Sequence, residues 1–205
     1  MIWAIVLAAG ESRRMGRPKL LLPYGDRTII EAVVVNVVSS RADRVVVVLG
    51  GCGREIKDKI RGFAVKKVTN RRYKEGMLTS VQRGLSALPS SARAALFVLA
   101  DQPDVSFSLI DVVIEAYRRE EKGIVLPVYR KKRGHPLLID LKYRREIEAL
   151  SPDIGLRGLL REHPDDILEV RVSSPAVLKD IDDPDDYGRA LRTIRGRARP
   201  KPDGV

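Results

Sequence analysis

A chain of 205 residues with a net charge of +11 and a single cysteine has room for one packed domain and cannot build a disulfide framework or a cysteine zinc site. Hydrophobic residues at 44% and charged residues at 32% exclude a disordered polymer, and no run reaches the roughly 18 apolar residues that a membrane span needs. The positive charge suggests a polyanionic substrate or partner, yet Arg189, Arg192, Arg195, Arg197, Arg199 and Lys201 gather much of it near the end, and the aromatics are not interleaved with cations, so sequence-specific nucleic-acid binding is not expected.

In chain order, short apolar, mostly β-branched runs alternate with amphipathic stretches. The pattern predicts strands over 2–7, 45–49, 64–68, 94–99, 124–127 and 167–172, with a further strand over 136–139 after a glycine-containing turn. Helices are predicted over 28–39, 54–60, 78–87, 108–121 and 144–150. Unalternated apolar strands separated by helices read as an α/β fold: a single three-layer α/β/α domain with a mostly parallel, Rossmann-like sheet. That domain is expected over residues 1–195, followed by a basic, Pro/Gly-punctuated tail over 196–205 that is expected to be disordered. With no export signal and no membrane span, a cytoplasmic location is expected.

The first predicted strand runs straight into Leu7-Ala8-Ala9-Gly10-Glu11-Ser12-Arg13-Arg14-Met15-Gly16-Arg17-Pro18-Lys19. Small residues after a first strand let a backbone approach phosphate oxygens closely, and four cations follow within seven positions. The spacing is neither a P-loop nor the GxGxxG dinucleotide fingerprint, which disfavours an NAD-dependent oxidoreductase. A solvated basic loop is the plain alternative. Gly50-Gly51-Cys52-Gly53 reads as a tight strand-to-helix turn, and Asp101 stands at the carboxyl end of the fourth strand, where α/β sheets keep their chemistry. Asp183 before Pro184 reads as a helix cap, with Asp185 and Asp186 in the first turn.

Leu7-Ala8-Ala9-Gly10, Ser12 to Gly16 and Lys19-Leu20-Leu21 resemble the signature loop of nucleotidyltransferases with the glycosyltransferase-A-like fold. Gly76-Met77 with Ser80 and Gly84, Asp101-Gln102-Pro103, Arg133-Gly134-His135-Pro136, Gly155-Leu156-Arg157-Gly158 and Asp180 to Pro184 follow in family order. Together they resemble the MobA-like NTP transferases, in their molybdenum cofactor cytidylyltransferase branch. Asp183 departs from the family pattern, which usually has threonine there.

The resemblance implies that Leu7, Ala8, Ala9, Gly10, Lys19 and Ser80 bind an NTP, with Arg14, Lys19 and Asp101 as the catalytic set. It further implies Mg²⁺ on Asp101, with Asp182 as a candidate second ligand, and an acceptor held near His135 and Arg157. Arg13 and Arg17 match less closely and are expected in solvent, and Lys19, in a loop, is expected to be at least partly exposed. The implied reaction moves NMP, with Ala9 leaning toward CMP from CTP, onto the phosphate of a molybdopterin-type cofactor and releases pyrophosphate. A molybdoenzyme or its chaperone is the implied protein partner. Transfer to another phosphorylated small molecule such as a sugar phosphate, and a non-catalytic nucleotide-binding module, remain open alternatives.

Overall fold

The computed structural model describes residues 1–198, with side chains as far as Ile194 in the last helix. The strand β1 (Ile2–Ala8) leads into a long loop containing two short 3-10 turns, Arg13–Met15 and Lys19–Leu21, then a small hairpin of β2 (Pro23–Tyr24) and β3 (Arg27–Thr28). Helix α1 (Ile29–Val38) starts on a capping box: the Glu31 amide donates to Thr28 Oγ1 while Glu31 Oε2 accepts from the Thr28 amide. Strand and helix then alternate through β4 (Arg44–Leu49), α2 (Gly53–Lys59), β5 (Lys66–Thr69), α3 (Met77–Ser86), β6 (Ala94–Leu99) and α4 (Phe107–Arg119).

The second half departs from that alternation. Strand β7 (Ile124–Tyr129) turns back through β8 (Lys132–Arg133) into β9 (Leu137–Asp140), followed by α5 (Arg144–Ala149), α6 (Arg157–Glu162), β10 (Ile167–Arg171) and α7 (Pro184–Ala198). The main sheet runs β10-β7-β9-β6-β1-β4-β5, with β8 on the side of β7. Pairs β1–β4, β1–β6, β4–β5 and β7–β10 are parallel, whereas β9 runs antiparallel to both β6 and β7. The strand predicted after the glycine turn is therefore real, but it reverses direction. The chain between Tyr129 and Leu137 is too short for a crossover helix, so only an antiparallel return is open to it.

Both sheet faces are buried, and the strands divide their side chains between them by simple alternation. Ala4, Val6, Val45, Val47, Leu96 and Val98 face the layer holding Ile30 and Val34 of α1 and Ile110 and Ile114 of α4. Ile5, Val46, Val48, Ala95 and Phe97 face Leu78 and Leu85 of α3, Ile147 of α5 and Leu159 of α6. That two-sided burial is why the strands read as unbroken apolar runs. Two helices exceed the sequence reading. Helix α6 forms where only a motif was noted, and α7, capped by Asp183 Oδ1 accepting from the Asp186 amide at 2.8 Å, continues to Ala198, past the expected boundary at 195. The rest of the expected tail, 199–205, lies outside the described residues. Among the described residues no helix is long and apolar enough to cross a membrane.

At the start of β10, Asp166 Oδ2 accepts from Tyr143 Oη at 2.5 Å and pairs with Lys142 Nζ at 2.7 Å. Burial raises its pKa, but Lys142, Tyr143 and the Gly123 amide outweigh this and hold it down at about 2. A depressed folded-state pKa contributes stability above the unfolded value and loses it as pH falls through the folded one. Asp166→Asn is therefore expected to lower the melting temperature at pH 7, with the gap to the parent shrinking by about half by pH 3, read by thermal denaturation across that range.

Candidate active site

The chain leaves the edge strand β5 and re-enters the sheet on the other side of β1, so the connections from β1 and β6 part company at their carboxyl ends. In open α/β sheets this parting opens a crevice. The loop after β1 lines it on one side. Ser12 adopts left-handed geometry (φ 55°, ψ 34°), and its Oγ accepts from the Lys19 amide at 3.1 Å, closing the loop on itself. Met15 and Leu20 are buried beneath and anchor it. Ala9 rests on Gly50 at the end of β4; a Cβ on Gly50 would lie 2.3 Å from the Ala9 carbonyl oxygen. Gly50 to Gly53 is the strand-to-helix turn expected, and the Gly50 backbone also supports the loop.

Charges from three parts of the chain meet in this crevice. Lys19 Nζ lies 2.7 Å from Asp101 Oδ2, just beyond β6, and 2.8 Å from Asp182 Oδ1, just before α7. Arg14 Nη2 lies 2.7 Å from the other oxygen of Asp182. Lys19 is only 8% exposed, which corrects the expectation of a partly exposed loop lysine: its side chain runs inward between the two carboxylates. Burial alone would lower its pKa, but Asp101 and Asp182 carry it above the ordinary lysine value. For Asp182, burial pushes upward and is outweighed by Lys19 and Arg14, which hold the carboxyl below its usual range.

The segment carrying Asp182 is fixed from several directions. The Ile181 amide donates to the Asp101 carbonyl at 3.0 Å, Gln102 Nε2 donates to Asp180 Oδ1 at 2.6 Å, and the Asp182 amide donates to Asp186 Oδ2 at 3.1 Å. Asp180 also faces the crevice, and burial raises its pKa.

The resulting cleft of about 510 Å³ is lined by Leu7, Ala9, Gly10, Arg14, Lys19 and Ser80, with Asp101 and Asp182 at its charged end. Ala8 is the exception among the expected nucleotide residues. It does not line the cleft, because its side chain is buried in the core on the α1 and α4 face. Arg13 is 78% exposed and pairs with Glu11, and Arg17 is exposed, as expected of both.

His135 and Arg157 line a second cavity of about 640 Å³, beside Arg133, Arg161, Ile154 and Leu160. Burial lowers the His135 pKa against an opposing pull from Asp101, so the imidazole is neutral at pH 7. Gly134 lets this segment pass under Val177, whose carbonyl oxygen would lie 2.3 Å from any Cβ there and accepts from the His135 amide at 3.0 Å. Met77, at the start of α3 and 60% exposed, belongs to the walls of both cavities. His163 lies at the end of α6, its Nε2 against the Glu146 carboxylate at 2.9 Å and its ring on Tyr143.

A residue behind the cleft wall went unread in the sequence. Asn70 is 4% exposed at the end of β5; its Nδ2 donates to Thr79 Oγ1 at 2.9 Å and Ser80 Oγ at 3.0 Å, and its Oδ1 accepts from the Arg72 amide at 2.9 Å. It ties the segment carrying Tyr73 and Gly76 to α3 and so shapes that wall. The available signal was position, since a buried asparagine directly after a strand is otherwise uncommon.

As a metal donor set, Asp101 Oδ2 and Asp182 Oδ1 converge on one point. Two carboxylate oxygens with room for phosphate oxygens suit Mg²⁺, which is usually held by one or two carboxylates plus substrate. Among the described residues no group of three His, Cys, Asp or Glu side chains gathers as an all-protein cage would require.

The family model of the MobA-like NTP transferase domain matches residues 4–167, which include the β1 loop, Asp101 and His135. The chain belongs to the MobA-like NTP transferase family. Two relatives span almost its full length. The molybdenum cofactor cytidylyltransferase of Escherichia coli (strain K12) is 27% identical over 187 residues, covering 89% of this chain and 92% of that protein. The nicotine blue oxidoreductase of Paenarthrobacter nicotinovorans is 28% identical over 199 residues, covering 93% and 96%. Among solved structures, Rv0371c from Mycobacterium tuberculosis H37Rv superposes with a TM-score of 0.83 at 28% identity, covering 93% of this chain and 97% of that one. A manganese complex of the same protein superposes at 0.80. The MobA-like assignment makes the chain a nucleotidyltransferase by kind, on a three-layer α/β fold shared with these neighbours.

Proposed function

We propose that the protein transfers a nucleoside monophosphate, CMP from CTP, to the phosphate of a molybdopterin-type acceptor with Mg²⁺ as cofactor. The observation that carries this reading is the meeting of Arg14, Lys19, Asp101 and Asp182 at the carboxyl ends of β1 and β6. Cations suited to phosphates and carboxylates suited to a divalent metal lie side by side, and a binding module would have little use for the second pair. The cytidylyltransferase relative and the manganese complex of Rv0371c support the donor and the metal respectively.

Arg14 and Lys19 meet the charge that grows on phosphate oxygens as the bond from the α-phosphorus to pyrophosphate breaks. A fixed donor of this sort in a water-poor site lowers the barrier by roughly 3–4 kcal/mol. Asp101 and Asp182 would hold the metal, which would offset the negative charge of the phosphates. The attacking acceptor phosphate is already anionic, so no strong general base is needed. His135, neutral at pH 7, and Arg157 would position the acceptor in the adjoining cavity.

The test mixes protein with each of the four NTPs, Mg²⁺ and a panel of acceptors including molybdopterin and sugar phosphates, and follows pyrophosphate release. Release with CTP and the pterin is expected. CTP at 100 times its dissociation constant should add about 2.7 kcal/mol of stability, and at equal concentration more than GTP does. Greater protection by GTP overturns the base assignment alone. Redox turnover of nicotine blue, and no pyrophosphate release with any NTP, would instead align the chain with its oxidoreductase relative.

A further inference from the structure

The two cations proposed for the phosphates are held by the two carboxylates proposed for the metal. Lys19 Nζ sits where both inner carboxylate oxygens converge, at 2.7 and 2.8 Å, and Arg14 takes the outer oxygen of Asp182 at 2.7 Å. A divalent ion bound by these oxygens would occupy nearly the same point as the ammonium, and both cannot be there together. We propose that the Lys19 ammonium is the resident cation of the metal position in the free protein, so that the divalent metal enters only together with the triphosphate, which takes Lys19 over. This rests on the assignment of Asp101 and Asp182 as metal ligands.

The physical argument is one of pairing. Lys19 is nearly buried, and a buried charge deprived of its partner is costly. A metal arriving alone would displace the ammonium from both carboxylates and leave it unpaired. A triphosphate arriving alone would draw Lys19 and Arg14 away from Asp101 and Asp182 and leave both carboxylates unpaired beside its own negative charge. When both arrive together, each carboxylate exchanges ammonium for metal while Lys19 and Arg14 exchange carboxylate for phosphate. Every charge keeps a partner. Metal and nucleotide therefore raise each other's affinity, and by thermodynamic reciprocity each does so by the same factor. The loop is built for such an exchange. Ser12 Oγ holds the Lys19 backbone amide at 3.1 Å, so the ammonium can swing between partners without the main chain moving.

The experiment titrates Mn²⁺ into parent, Lys19→Met and Lys19→Gln, without nucleotide, following free Mn²⁺ by electron paramagnetic resonance. Glutamine keeps an N–H donor for the carboxylates and guards against a variant that folds poorly. The parent is expected to bind Mn²⁺ alone weakly. Both variants are expected to bind it at least tenfold more tightly, and adding Asp101→Asn to Lys19→Met should abolish the gain. If a variant needs the metal to fold, Mn²⁺ should restore its circular dichroism. Equal Mn²⁺ affinity in parent and variants, weaker binding in the variants, or an unfolded variant that Mn²⁺ does not restore overturns the proposal. Parent protein that takes up no Mn²⁺ even with CTP refutes the metal assignment itself. Uptake with CTP but no tightening in the variants refutes only the resident role of Lys19.

Discussion

Lys19→Ala is expected to lower turnover by about 10²–10³, the usual cost of removing one preorganised donor that meets charge growing in the transition state. Because that interaction matters most at the transition state, the loss should fall chiefly on kcat. Asp101→Ala should also abolish most turnover, but for a different reason: with Asp182 left to hold the metal, excess Mg²⁺ should recover part of the rate. Excess Mg²⁺ should not rescue Lys19→Ala, even though that variant takes up metal more readily, since the phosphates still lack their ammonium. Steady-state kinetics across a Mg²⁺ series, with melting temperatures to confirm folding, separates the two. Near-parental turnover of both variants with unchanged Mg²⁺ dependence would overturn the assignment of this crevice as the active site.

The second large effect is expected from a methyl group. Gly50→Ala would place a Cβ 2.3 Å from the Ala9 carbonyl oxygen and 2.8 Å from the Ala9 Cα. Both contacts are with backbone or a short side chain, so no flexible terminus can give way. The strand end or the loop after β1 must move, at about 1–3 kcal/mol for overpacking. The protein should melt earlier, and the heat protection conferred by CTP should fall sharply because the displaced wall belongs to the cleft proposed for the nucleotide. Gly51→Ala is the control: the nearest atom to its Cβ would be Tyr73 Oη at 3.4 Å, an ordinary contact. Equal CTP protection in Gly50→Ala and the parent would show that Ala9 does not need its present position.

Much of this architecture was legible because local and tertiary demands coincide. Strands buried on both faces must be apolar, and β1, β6 and residues 45–49 of β4 are. Thr28 with Glu31, and Asp183 before Pro184, announce helix starts because the side chains that cap a helix lie within its own first turn. What escaped depends on partners far along the chain. The direction of β9 is set by the shortness of its connection and by β6 and β7 on either side. Helix α6 is short, and Leu159 is its contribution to the core, so no long periodic pattern marks it. In the crevice, position marked Asp101 and the family resemblance picked Lys19 and Arg14 from four loop cations, yet the burial of Lys19 could not be read. It depends on Asp182, 163 residues away, entering the same space. The supporting role of Asn70 was hidden likewise, because its two hydroxyl partners lie on a helix that begins only after an intervening loop.

Met77 stands at the border of the two cavities, touching each from the start of α3. Its unbranched, polarizable side chain gives the two cavities an adaptable shared wall. With donor and acceptor in these two cavities as proposed, the substrates would meet beside Met77, and the nucleotidyl group would pass between them in one displacement. No amino acid would then carry the nucleotide in between, and the stereochemistry at the transferred phosphorus would be inverted once.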